Sequence, residues 1–255
     1  VADLALRGTY LQLNLHQRVS EVFIYANYIS SLDGRISLFD EQTGEFSVPE
    51  SIANKRDWRL YQELAGQSDV MLTSARYFRQ LAQGKAQDLL PVGTSPDYED
   101  IRVWREEQGL KPQPDVVVLS DSLDIPQQAI AKLSDRKVIV LTKPQRDLEK
   151  IKTLEAQGVL VIQAKQSVSG NFIRQTLREL DYRSAYMIAG PKVHHTLVAD
   201  GCVDELFLTS HMSLLGGSSF HSVLEDNKLA INMKLITLYL DEEGNQLLMR
   251  YQYAA

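Results

Sequence analysis

The sequence predicts an α/β protein: a three-layer αβα sandwich on a mostly parallel sheet, finished by an antiparallel C-terminal hairpin. Three observations predict it. Strand-sized apolar runs alternate with amphipathic helical stretches, the pattern left by parallel strands joined through crossover helices. The last part of the chain changes to period-2 alternation around a Gly-containing loop, which reads as a hairpin. No tract rich in Gly, Pro or Ser divides the 255 residues, so residues 21–255 are expected to form one domain behind an N-terminal arm, residues 1–20.

The elements follow in order. Residues 22–29 are β-branched and aromatic and end at Ser30-Ser31-Leu32-Asp33-Gly34, a strand running into a turn. Residues 52–64 place Ile52, Trp58, Leu60, Tyr61 and Leu64 at helical spacing, with Ser51 as N-cap. Val70-Met71-Leu72-Thr73 reads as a buried strand and residues 77–81 as the start of a helix. Residues 84–114 are polar and carry Pro91, Pro96, Pro112 and Pro114. They read as an excursion holding a short helix over 101–107. Strands are then expected at 116–120, 137–142, 159–162 and 186–189, with helices at 127–133, 147–157, 172–180 and after Gly190. Residues 205–215 alternate loosely, and 233–240 with 246–253 form the hairpin around Asp241-Glu242-Glu243-Gly244-Asn245.

Composition excludes several classes. With 44% hydrophobic and 24% charged residues, the chain matches a folded domain, and a globule of this size buries roughly 70% of its extended surface. The 27 basic and 33 acidic residues leave a net charge of −6, against broad docking on nucleic acid or anionic lipid. Cys202 is the one cysteine, so neither an intrachain disulfide nor a cysteine-based zinc site can form. The longest apolar runs, such as Val116-Val117-Val118-Leu119, are far short of a membrane span. Val1-Ala2-Asp3-Leu4 shows no secretory pattern. The expected location is the cytoplasm.

Ligands of open α/β sheets bind beyond the carboxyl ends of the strands. Four such ends carry small or polar residues: residues 27–34, Thr73-Ser74-Ala75-Arg76, Ser120-Asp121-Ser122 and Ala189-Gly190-Pro191-Lys192. Gly190 permits close backbone approach, Pro191 presets φ at a helix start, and free N–H groups beside Lys192 suit a phosphate. An ordinary strand-to-helix turn has the same residues. Asp33-Gly34 reads equally as a turn, and Asn27 as an amide that satisfies backbone within the sheet. Arg76 and Arg79 suit a phosphate or an exposed helix face. His194-His195 point about 100° apart on a helix and do not chelate, and His211 and His221 lack partners at ligand spacing. There is no G-x-G-x-x-G, P-loop or G-x-S-x-G motif. No metal site is expected, and the catalytic group is unassigned.

Five segments resemble, in order, those of the riboflavin-biosynthesis pyrimidine reductases, a family of dihydrofolate-reductase-like fold. Ile29-Ser30-Ser31-Leu32-Asp33-Gly34-Arg35-Ile36 resembles S-L-D-G-x-I, and Ser68-Asp69-Val70-Met71-Leu72 is similar to x-D-A-x-L-V-G. Pro114-Asp115-Val116-Val117-Val118-Leu119-Ser120 looks like P-x-x-V-V-L-x. Ile188-Ala189-Gly190-Pro191-Lys192-Val193 with Gly201-Cys202-Val203-Asp204-Glu205-Leu206 is similar to E-G-G-P-x-L … G-L-V-D-E-L, and Leu214-Leu215-Gly216-Gly217 matches x-L-G-G. The likeness spans residues 20–220.

The resemblance implies an NADPH-dependent reductase that passes hydride to the sugar C1′ of a pyrimidine ribotide, and a homodimer paired through C-terminal strands. It places the cofactor at Ile29, Ser74, Ser120, Asp121, Gly190, Pro191, Lys192 and Val193. It places the substrate at Asn27, Ser31, Asp33 and Arg79. Three departures stand out: the family's Glu before Gly-Gly is Ile188, its first Gly is Ala189, and an acidic position is Leu81. They leave open an alternative, a non-catalytic nucleotide-binding protein on the same fold. A zinc deaminase is not expected to be attached, because its cysteines are missing.

Overall fold

The computed structural model describes residues 6–18, 21–85, 92–144 and 147–254. Nine strands form one sheet: β1 (Phe23–Ser31), β4 (Val70–Ser74), β5 (Asp115–Leu119), β6 (Val138–Thr142), β7 (Leu160–Gln163), β8 (Ser184–Met187), β9 (Glu205–His211), β11 (Met233–Asp241) and β12 (Gln246–Tyr253). Their order is β11-β12-β9-β1-β8-β4-β5-β6-β7. From β9 to β7 every pairing is parallel; β12 runs antiparallel to both β9 and β11. The expected parallel sheet with a terminal hairpin is what the chain forms. β4, β5 and β6 read as near-continuous Val, Ile and Leu because both faces are covered.

Helices α1 (Lys55–Gly66), α2 (Ala75–Ala82), α3 (Glu99–Glu107), α4 (Gln127–Ala131) and α5 (Leu148–Glu155) bury residues in one core layer. Helices α6 (Gly170–Glu179) and α7 (Pro191–Ala199) pack on the opposite face. The α1 boundary differs from expectation. Ser51 is not its N-cap: the Ile52 and Ala53 N–H groups close a turn onto the Pro49 carbonyl. The cap is Asn54, whose Oδ1 accepts from the N–H groups of Arg56 and Asp57. Its amide donates to Gln246 Oε1, and Arg56 pairs with the buried Asp241 carboxylate at 2.7 Å. These bonds pin the start of α1 to the β11–β12 loop. The other end of α1 is plugged by Arg105 of α3, whose guanidinium donates to the carbonyls of Ala65, Gly66, Ser68 and Lys111. Those are orphan helix-end and loop acceptors that would otherwise be buried unpaired.

The expected excursion at 84–114 contains α3 and the single turn Pro96–Tyr98; its residues 86–91 lie outside the described ones. Residues 6–18 form two 3-10 turns, Leu11–Leu13 and Leu15–Gln17, and bury Leu6, Tyr10, Leu11 and Leu15. The Glu63 carboxylate of α1 accepts from the N–H groups of Gly8, Tyr10 and Leu11. The chain also forms a second sheet that the sequence does not predict: β2 (Ser37–Asp40) lies between β3 (Glu45–Ser47) and β10 (Phe220–His221), antiparallel to both. Runs of two to four residues carry too little alternation to read. Among the described residues no helix is long and apolar enough to cross a membrane.

Candidate active site

Parallel pairing brings the carboxyl ends of β9, β1, β8, β4 and β5 to one edge. Ala26 lies opposite Met187, Leu72 opposite Met187, and Ser74 opposite Leu119. The turns after residues 29 and 189 therefore open on the same side. β8 stands between β1 and β4, yet its helix, α7, lies on the face opposite α1 and α2. Neighbouring strands whose following helices diverge leave a crevice at their tips, the topological switch point of an open sheet.

One wall of that crevice is the start of α7. Gly190 is the N-cap with extended backbone, and Pro191 occupies the first helical position. Gly190 is exposed and has room for a side chain, with no atom within 4 Å of its Cβ position. Lys192 beside it is exposed, and Val193 is half-buried. Behind the turn the Tyr28 hydroxyl donates to the Ala189 carbonyl at 3.3 Å, and the His194 ring packs on Tyr28. Burial lowers the His194 pKa to about 4.

Asp33 is at the edge but its oxygens are engaged. Oδ1 accepts from the Ser31 hydroxyl and Leu215 N–H, and Oδ2 accepts from Gly216 N–H while pairing with Arg35. The Ser31 hydrogen bond, followed by that of Gly216, lowers its pKa to about 2. Arg35 continues the knot by donating to the carbonyls of Gly216 and Gly217, whose φ values of 66° and 81° suit glycine. The two loops that carry the S-L-D-G-like and L-G-G-like segments are thus one body, with Leu32 and Leu214 exposed on it. Ser31 is itself buried and accepts from Arg35 N–H.

The remaining expected residues divide. Asn27 and Ile29 lie on the β1 face toward α1, with Phe207 and Thr209 of β9 opposite them. Ser74 ends β4 at the start of α2 and makes no capping hydrogen bond. Ser120 is buried and accepts from Leu123 N–H, while Asp121 pairs with Lys143 at 3.6 Å. Arg79 donates to the Asp124 carbonyl. Of the departures, Ile188 packs against the α1-side core at the β8 tip and Leu81 is buried in it.

Two polar residues that the sequence does not single out, Asp57 and Tyr186, lie near one another, with Asn27 beside Tyr186 and Thr209 beside Asp57. Asp57, in the first turn of α1, has Thr209 as a hydrogen-bonding neighbour, yet its Oδ1 is buried without a partner. Burial raises its pKa to about 6, against the Thr209 hydrogen bond. The Tyr186 hydroxyl of β8 is likewise buried and unpartnered, with the Asn27 side chain beside it and the charge of Asp57 felt by it. The Tyr186 ring lies between Tyr25, stacked at 5.2 Å, and Tyr61 at 5.3 Å. From sequence, Asp57 falls inside the helix expected over 52–64 and Tyr186 at the start of the strand expected over 186–189. Only the register of β1, β8 and β9 under α1 joins them. No metal-binding cluster of acidic, His or Cys side chains occurs among the described residues.

A model of the family described as RibD C-terminal domain matches residues 22–247. Among solved structures, a pyrimidine reductase-like protein of Corynebacterium diphtheriae superposes with a TM-score of 0.75 at 18% identity, over 97% of this chain and 99% of that one. The riboflavin biosynthesis reductase Rib7 of Saccharomyces cerevisiae gives 0.65 at 17% identity, over 99% and 100%. RibD of Acinetobacter baumannii gives 0.67 at 19% identity over 92% of this chain, which spans 58% of that longer protein. Among curated protein sequences none matches the chain.

Proposed function

The chain belongs to the RibD C-terminal domain family, the reductase domain of riboflavin biosynthesis, and on that premise we propose that it reduces a pyrimidine ribotide with NADPH. The substrate class is that of 5-amino-6-(5-phosphoribosylamino)uracil, the compound named for the reductase of Thermotoga maritima that shares the fold. NADPH would supply a hydride to the sugar C1′ of the ring-opened imine, whose nitrogen takes up a proton, leaving a ribitylamino product and NADP+.

The observation that carries this reading is the Gly190-Pro191 helix start at the switch point, exposed at Gly190 and without a side-chain cap. This start and Lys192 fit a dinucleotide phosphate. We assign the cofactor to Ile29, Ser74, Ser120, Asp121 and residues 190–193, and the substrate to Asn27, Ser31 and Asp33. Ser120 and Asp33 act by fixing the loops, since their side chains are hydrogen-bonded within the protein. Arg79, also proposed at the substrate, donates to the Asp124 carbonyl. The chain's own contribution is to hold the two reactants in contact at the β1 and β8 tips and to exclude water there.

We also propose a cytoplasmic homodimer paired through β11. This outer strand exposes Leu235, Leu238, Tyr239 and Leu240, an apolar sheet edge of the kind that associates. The apolar Ile188 at the β8 tip favours a second reading, a nucleotide-binding protein without catalysis.

A titration tests the placement. NADPH is expected to bind, and Lys192→Glu is expected to weaken it about tenfold by placing negative charge at the phosphate turn. Equal affinity with the fold intact overturns the cofactor site. NADPH binding without oxidation by the ribotide selects the second reading.

A further inference from the structure

We propose that Asp57, with the Tyr186 hydroxyl and the Asn27 amide, forms the subsite that recognises the pyrimidine ring. The carboxylate accepts from ring N–H donors, while the hydroxyl and amide donate to ring carbonyls. The inference rests on the functional reading above and deepens it.

Two buried oxygens without partners stand in one neighbourhood, Asp57 Oδ1 and the Tyr186 hydroxyl. Native proteins seldom leave such groups unsatisfied, and neighbouring exceptions mark a place where a ligand completes the network. Their placement agrees. Asp57 is fixed at the carboxyl edge because Asn54 and Arg56 bind the start of α1 to Gln246 and Asp241, and Gln246 pairs with His211 at the end of β9. Asn27 lies on the β1 face toward α1, two residues before Ile29 at the strand's tip.

The chemistry is selective. A carboxylate accepts only, and a phenol with an amide beside it donates. A uracil edge presents ring N–H groups and carbonyls in alternation, the complement of that set. Sites built on such polar groups reject analogues that cannot pair with them.

The ionised carboxyl is an acceptor only, so its unpartnered Oδ1 takes a ring N–H best when Asp57 is charged. The groups whose charges couple to it are the Tyr10 phenol of the N-terminal segment and the Tyr186 phenol of β8, both kept neutral by burial. Arg56, next to it on α1, is bound by Asp241 and Glu243. With the carboxyl's pKa at about 6, ring affinity is expected to fall about tenfold between about pH 7.5 and pH 5 as Asp57 protonates.

The probe is 5,6-diaminouracil, titrated calorimetrically into the full chain with and without NADPH. Wild type is expected to bind it with that pH dependence. Asp57→Asn is expected to lose about tenfold at the higher pH and to lose the pH dependence, with NADPH affinity unchanged. Tyr186→Phe removes a hydroxyl that makes no regular hydrogen bond in the protein and has the Asn27 side chain beside it, so its melting temperature is expected to change little while ring affinity drops several-fold. Should Asp57→Asn fail to fold, the wild-type pH dependence and Tyr186→Phe decide. Absence of binding to wild type, or equal binding by both variants, overturns the subsite. Failure of NADPH to bind or be oxidised overturns the functional reading instead and leaves the ring titration to stand by itself.

Discussion

Acid should loosen this protein through His194, and the size of the effect follows from the site. The imidazole is 1% exposed. Its Nδ1–H donates to the Val223 carbonyl at 2.8 Å, which leaves Nε2 to accept from the Tyr253 hydroxyl at 2.6 Å. That arrangement requires the neutral ring, and burial lowers its pKa from 6.5 to about 4. The unfolded chain therefore binds the proton more readily than the folded one between those values. The stabilisation is complete above about pH 6.5 and is lost as pH falls toward 4. Worked through linkage, the loss at about pH 5 is about 2 kcal/mol relative to about pH 7.5. Asp57, whose pKa is raised, shifts stability in the opposite direction over the same range, so wild type alone does not isolate the term. Urea unfolding of wild type and His194→Gln at both pH values does, because all other groups cancel in the difference. Wild type is expected to be the more stable at the higher pH, and the gap to shrink by about 2 kcal/mol at the lower. A gap independent of pH would show that the imidazole protonates without cost and would refute the reasoning. The consequence reaches the proposed cofactor turn, since the His194 N–H bonds the Gly190 carbonyl.

Arg105→Met should destabilise the fold by about 3 kcal/mol, because the buried carbonyls at the end of α1 lose a charged donor while the apolar stem is kept. Urea midpoints check this, and a loss below about 1 kcal/mol would mean that those carbonyls find other donors. Leu238→Lys on the exposed face of β11 should convert the proposed dimer to monomer in light scattering without changing the urea midpoint of the separated chain. A wild type that is already monomeric at working concentration would remove that proposal.

The parallel sheet, the order of strands and helices from residue 70 onward, and the terminal hairpin were legible in the sequence. Each rests on a local period or a turn signal that neighbouring residues set between themselves. The S-L-D-G-like and L-G-G-like segments could be matched to a family, but their joint role could not be read. Asp33 and Gly216 meet only because the loops after β1 and β9 come out at one edge. The same holds for the small second sheet, for Asn54 in place of Ser51 as the cap of α1, and for Leu6 to Leu15, whose burial depends on Glu63 of α1 and on Gln67 just past its end. Asp57, Tyr186 and Asn27 are an acid in a helix, an aromatic in one strand and an amide in another. Nothing in their sequence positions relates them. Chain-local chemistry determined the elements; which side chains share a crevice, and which buried oxygens go unpaired there, was decided by strand register and by the faces on which α1 and α7 pack.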